Sequence, residues 1–177
     1  MQLILLLLPT LLLLPSMASG SNVAKYDLPI AVRIRLDKRF PGWRFANVGD
    51  EIRRALKEYA PGAQPEFVRG DFDGNGKVDF ALLIEHGEDL NNEGVATSRK
   101  IHLVALLRNR KGYRLYHVAS PAGDYLLLWR KGDRLYNYET QRKFILANDA
   151  VEAVTFEKAG TTYVYKKGKF RAILTGD

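Results

Sequence analysis

The residues whose chemistry stands out are packed into one short stretch. The chain reads Arg69-Gly70-Asp71-Phe72-Asp73-Gly74-Asn75-Gly76-Lys77-Val78-Asp79 and then runs straight into Phe80-Ala81-Leu82-Leu83-Ile84. Oxygen-bearing side chains stand at alternate positions, Asp71, Asp73 and Asn75, before Gly76, and Asp79 follows three residues later. Calcium takes about six to eight oxygen ligands at roughly 2.3–2.6 Å, and a tightly coiled loop aims alternate side chains at one centre. Gly76 permits the sharp turn that lets the backbone carbonyl of Lys77 face the same point, and Asp79 reaches it directly or through a water. Asp, Asn and Gly also favour ordinary turns. A turn, however, has no use for three mutually repelling carboxylates within nine residues. The expected ligand set is therefore Asp71, Asp73, Asn75 and Asp79 through side chains and Lys77 through its carbonyl. The expected ion is Ca²⁺ rather than the smaller Mg²⁺.

This spacing matches the first half of an EF-hand loop. The match then stops: the twelfth position, where that loop places a bidentate Glu on a helix, is Leu82, inside a run that reads as a buried strand. The stretch from Gly70 to Asp79 instead resembles the Asp-rich loop of FG-GAP and VCBS-type repeats, in which the same spacing leads into a β-strand. The resemblance implies the same five ligands, residue by residue, and covers the loop and little more. FG-GAP repeats build a seven-bladed propeller of about 40 or more residues per blade, which a chain of this length with one loop cannot supply. More loosely, the layout resembles small exported bacterial proteins with a single such loop, in which Phe40-Pro41-Gly42-Trp43 and the run Tyr165 to Phe170 have counterparts.

Other constellations are weaker. His86, His102 and His117 fall in separate apolar runs with no metal-ligand spacing and read as packed or half-exposed histidines. No Gly-x-Ser-x-Gly, His-Glu-x-x-His or phosphate-cradling loop is present. Glu85, Glu88, Asp89 and Glu93 form an acidic group that could hold a glycosidase carboxylate pair, though a solvated loop is the simpler reading. Tyr113, Tyr116, Tyr125, Trp129, Tyr136 and Tyr138 suit sheet packing first and a sugar- or protein-binding face second.

The elements that position the loop follow from periodicity. In Asp27 to Phe40, Leu28, Val32, Leu36 and Phe40 share a helical face; Asp27 can cap and Pro41-Gly42 stops the segment. The alternation of Ile30, Val32, Ile34 and Leu36 is the competing strand signal. Trp43 to Ala46 reads as a short strand or extended link, and Asn47 to Ala60 as a second helix with its stripe at Val48, Ile52, Ala55, Leu56 and Tyr59. Short apolar runs follow at 78–86, 100–108, 113–118, 124–130, 134–138, 150–157, 161–166 and 169–174. Three turns repeat a basic pair followed by glycine, at Gly112, Gly132 and Gly168, which is a hairpin signal. The stretch Gly87 to Arg99 reads as a long polar connection. The expected fold is α+β: two N-terminal helices packed on an antiparallel β meander of about eight strands.

Composition sets the setting. Leu3 to Leu14 is apolar except for Pro9 and Thr10, and the first charge is Lys25. That run is short of the roughly 20 residues of a membrane-spanning helix and suits a signal-peptide core, with small residues at Ser16, Ala18, Ser19 and Gly20 for cleavage. Residues 1–20 are thus expected as a signal peptide and 21–177 as one exported domain, periplasmic or extracellular, with no transmembrane segment after cleavage. There is no cysteine, so disulfides, thiolate metal sites, cysteine nucleophiles and a lipid-modified cysteine are excluded. The net charge of +7 is spread along the chain without a nucleic-acid fold signature, so no nucleic acid is expected as partner. The expected function is an exported calcium-binding domain, the ion mainly structural, acting as a binding or envelope-associated module toward a protein or an anionic or glycan envelope component. The alternative is a small calcium-dependent hydrolase of cell-envelope polymers, for which no catalytic constellation is readable. Mass spectrometry of protein from a secreting host should find the N-terminus at Ser19 or Ser21; intact Met1 in the membrane fraction would reverse the export reading.

Overall fold

Two long neighbouring strands with apolar residues on both faces organise this protein. The computed structural model describes residues 27–90 and 96–176; the expected signal peptide, 1–20, and Glu93 lie outside them. The elements in order are α1 (Ile30–Arg39), β1 (Arg44–Phe45), α2 (Asp50–Tyr59), β2 (Phe67–Gly70), β3 (Asp79–Leu90), β4 (Ala96–Asn109), β5 (Gly112–Ala119), β6 (Tyr125–Trp129), β7 (Arg134–Asn137), β8 (Arg142–Ile145), β9 (Ala150–Thr155), β10 (Ala159–Lys166) and β11 (Lys169–Leu174). A five-stranded sheet has the order β1-β3-β4-β5, with β2 also on the edge of β3; a four-stranded sheet has the order β11-β10-β9-β6; β7 and β8 form a separate ribbon.

Alternation along β3 and β4 sends side chains to two different cores. Phe80, Leu82, Ile84, Val104 and Leu106 pack against Leu28, Val32, Leu36 and Phe40 of α1. Ala81, Leu83, Leu103 and Leu107 face Leu126, Val151 and Ala153 of the four-stranded sheet. This explains why 80–84 and 103–107 are continuous apolar runs although their sheet is antiparallel, where one wet face would leave an alternating pattern. The far side of the four-stranded sheet is covered in two pieces. Val48 and Leu56 flank and contribute from α2 onto Tyr125 and Leu127, and Leu135 and Leu146 from the ribbon lie over Trp129, Ala150 and Val164.

The expected α+β arrangement is therefore corrected. Among the described residues the protein is mostly β, with 49% in strands and 14% helical, built from two short helices and eleven antiparallel strands. Both helices form where their apolar stripes place them, but they cover opposite outer faces of a two-sheet stack instead of lying together on one meander. Asp27 does not cap α1; Pro29 occupies that position without a side-chain bond. The meander breaks at β6, which pairs with β9 instead of a chain neighbour. The glycine turns at Gly112 and Gly168 close the β4–β5 and β10–β11 hairpins, whereas the one at Gly132 joins β6 to β7 in a different sheet. The long polar connection is also shorter than expected, because β3 runs on to Leu90 and β4 starts at Ala96, with a bulge between Glu85 and Glu88. Among the described residues no helix is long and apolar enough to cross a membrane.

Leu83 is fully buried between the sheets, whereas Ile34 on α1 is 59% exposed. Leu83→Ala should cost about 3 kcal/mol in urea unfolding, and Ile34→Ala should stay within about 0.5 kcal/mol.

Candidate metal centre

The loop between β2 and β3 is pinned by its one large apolar residue. Phe72 is wholly buried and lies edge-on to Phe170 in the core between the sheets, ring centroids 6.4 Å apart. Its neighbours Asp71 and Asp73 are half-buried. Two glycines take positive φ in the turn that follows, Gly74 at 75° and Gly76 at 77°. Gly74 has a second constraint: a Cβ there would sit 2.5 Å from Asn148 Oδ1.

Backbone amides coil the loop around its own carboxylates. Asp71 accepts from the N–H groups of Asn75 and Gly76, both at 2.9 Å, and Asp73 Oδ1 accepts from the Asn75 N–H at 3.2 Å. Asp79, the first residue of β3, is fully buried and accepts from Phe72 N–H at 3.0 Å and from Arg108 N–H of β4 at 2.7 Å. The result is that one carboxylate oxygen from each of Asp71, Asp73 and Asp79 lies within 4.8 Å of the other two. Two oxygens on opposite sides of a calcium ion are separated by about 4.8 Å, so the cluster has the dimensions of a single-ion site.

Asn75 and Lys77, the other two expected ligands, lie in the same turn. Asn75 turns its Nδ2 toward Asp73 Oδ2 at 2.9 Å and the Arg108 carbonyl at 2.8 Å, while its Oδ1 accepts the Lys77 N–H at 2.9 Å. Its amide thus quenches part of the acidic charge, and its oxygen would join a cation only after the amide turns over. Lys77 is half-buried in the same turn. Burial pushes the Asp79 carboxyl up to about 6; the Asp73 and Asp71 charges add to the rise, and the two amide bonds only partly offset it.

Two residues with no sequence spacing to the loop complete its setting. Asp149 Oδ2 accepts from Asp71 N–H and from the Arg130 guanidinium, both at 3.1 Å, and Oδ1 accepts from Lys131 N–H at 2.9 Å. Burial alone would raise the Asp149 pKa, but these donors outweigh it and hold the carboxyl below its ordinary value. Asn148 Nδ2 reaches the Phe72 carbonyl at 3.3 Å. The polar pair Asn148-Asp149 between Leu146 and Ala150 was the visible signal, but its target follows from sheet stacking.

The three histidines, unrelated by spacing, come together through strand register on the α1 side of β3, β4 and β5. His102 Nδ1 lies 3.0 Å from His117 Nε2, His102 Nε2 lies 3.0 Å from the His86 carbonyl, and all three rings surround Phe40. Burial, followed by the charges of His102, Arg39 and Lys100, lowers the His117 pKa. Glu85 is committed to structure, bonded to Arg44 Nε at 2.6 Å and Asn47 N–H at 2.9 Å. Of the aromatic residues, Tyr113 and Tyr125 are buried and Tyr116 bonds Tyr165 at 2.9 Å, while Tyr136 and Tyr138 are exposed.

No protein-family model matches this chain, and no curated protein or solved structure matches it significantly. The acidic cluster therefore rests on its own geometry.

The buried, crowded Asp79 gives a direct readout. Carbon-13 NMR in chelator should show its carboxyl titrating near 6, in line with the value that burial imposes. With millimolar calcium that step should move to lower pH, because a bound cation favours the ionised form. An Asp79 midpoint near the ordinary value in chelator would contradict the geometry.

Proposed function

We propose that the loop Asp71–Asp79 binds a single Ca²⁺ that locks the entry of β3, in an exported domain that works as an envelope-associated binding module. The observation that supports this is the convergence of the Asp71, Asp73 and Asp79 carboxylates within 4.8 Å, one of them buried. The Lys77 carbonyl and, after its amide turns, Asn75 Oδ1 would bring the oxygen count to five, and water would complete the shell. The ion's role is structural: it replaces carboxylate repulsion with attraction at the point where the loop meets β3 and β4. Among the described residues the cluster has no nucleophile paired with a base, so the hydrolase alternative gains no further support from it.

Lacking a bidentate Glu, the site should be weak, with Kd about 10⁻⁴–10⁻³ M as for extracellular modules. At a Kd of about 0.1 mM, about 1 mM calcium adds roughly 1.4 kcal/mol to stability. Thermal melts in chelator and in calcium should therefore differ for the natural protein. Asp73→Ala should remove the difference while the metal-free fold persists, since the bonds of Asp73 stay within the loop. Identical melts of the natural protein in both conditions, with no calcium heat in calorimetry, would leave the loop as a turn.

A further inference from the structure

A groove on the α1 side of the five-stranded sheet carries a concentration of positive charge with no acid lining it. Arg35, Lys38 and Arg39 from the last turns of α1, Lys111 from the β4–β5 turn and His117 from β5 line an open groove of about 560 Å³, and no Asp or Glu lines it; the Arg114 guanidinium lies on the other face of β5, 5.1 Å from the centroid of the Tyr116 ring. The ion pairs among the described residues are Arg44–Glu85, Arg53–Glu66 and Arg130–Asp149, none of which draws on these cations. Like charges held this close repel, and the repulsion is relieved by an anion. The frame that holds them is rigid, because Leu28, Val32, Leu36 and Phe40 fix the opposite face of α1 in the core.

A second observation selects the kind of anion. Ile30 is 75% exposed and Ile34 59% exposed. They stand one turn apart on the outward face of α1, and Lys38 continues the same row one turn further on. A soluble polyanion would use the cations and leave the isoleucines in water. A lipid surface takes both: its phosphates meet the cations, and its headgroup–acyl boundary takes up the apolar side chains.

We propose that the outward face of α1 and the groove between α1 and β5 dock this protein onto an anionic membrane surface, with lipid phosphates among Arg35, Lys38, Arg39 and Lys111, and Ile30 and Ile34 in the interfacial layer. This deepens the envelope-module reading and rests on that part of it; it does not depend on the metal loop. The face also fits the shape of the element. Ten residues of helix lie flat on a sheet, basic on one flank and apolar at the crest.

The test is co-sedimentation of protein from a secreting host, its N-terminus verified, with phosphatidylcholine vesicles and with vesicles containing about one part in four phosphatidylglycerol. Chelator is present so that calcium cannot bridge carboxylates to lipid. Binding should require phosphatidylglycerol and should weaken steeply as salt rises from about 0.05 to 0.5 M. Lys38→Ala should weaken it about fivefold, the effect of one basic residue at a charged surface, and Lys38→Glu with Lys111→Glu should abolish it. Ile30→Ser with Ile34→Ser should weaken it several-fold without moving the melting temperature, since both side chains stand in water. Absence of binding to phosphatidylglycerol vesicles overturns the proposal. So does binding that ignores Lys38 and Lys111, which would place it elsewhere on the chain. Binding that ignores the isoleucines and is competed equally by soluble polyphosphate also overturns it, leaving a polyanion groove in its place. Failure of the calcium melts would not alter these outcomes, and the verified N-terminus keeps the apolar run Leu3 to Leu14 out of the assay.

Discussion

Covering both faces of β3 and β4 obliges every polar group at their ends to find a partner inside the protein. The first residue of β3 is Asp79, fully buried, and it meets that demand by accepting one amide from Phe72 and one from Arg108. Those two bonds tie the loop, the start of β3 and the end of β4 into one unit. Phe72 can then stay in the core between the sheets, and its neighbours Asp71 and Asp73 stand where Asp79 stands. The acidic cluster is thus a consequence of how the central sheet is closed off.

That closure carries an electrostatic cost in the absence of a cation. The Asp79 carboxyl is raised from 3.8 to about 6, so between those values the folded protein holds more protons than the unfolded chain. Stability is then greatest below the lower value and falls as pH rises through the higher one, a difference on the order of 3 kcal/mol. A divalent cation acts in the opposite direction, favouring the ionised carboxylate at neutral pH. The amide of Asn75, donating to Asp73, is a partial and neutral substitute for such a cation. Asp149 follows the other logic: two backbone amides and a guanidinium face it, and its ionised form strengthens the fold.

Local signals in the sequence were legible, and long-range ones were not. The apolar stripe Leu28-Val32-Leu36-Phe40 correctly outweighed the alternation of Ile30 and Ile34, because those two isoleucines point to water. The alternate spacing of Asp71, Asp73 and Asp79 correctly implied convergence, since a coiled loop determines it within nine residues. The partner of the Asn75 amide could not be read from the same pattern, because its donor group reaches the Arg108 carbonyl, 33 residues away. The meander failed at β6 for a similar reason. A hairpin phrase at Gly132 fixes only a turn, and the burial available to Leu126 and Leu128 against the five-stranded sheet decides that β6 pairs with β9. Short strands such as β2 and β8, each four residues long, gave too little periodicity to read.

The two charged sites meet at the β4–β5 turn. Arg108 gives its amide to Asp79 and its carbonyl to Asn75, so the acidic loop holds the last residues of β4 from one side. Asn109 and Lys111, next along the chain, line the cationic groove on the other, with Asn109 Oδ1 accepting the Lys111 N–H at 2.7 Å. A cation that firmed the loop around Asp71, Asp73 and Asp79 would therefore firm the backbone that presents Lys111. It would do so without touching the α1 cations, which are anchored through Leu36 and Phe40. Coupling of this kind is small, because it passes through one turn and acts on one of four cations. The acidic loop and the basic groove are thus adjacent in structure but rest on different elements, the first on β2 and β3 and the second on α1 and β5.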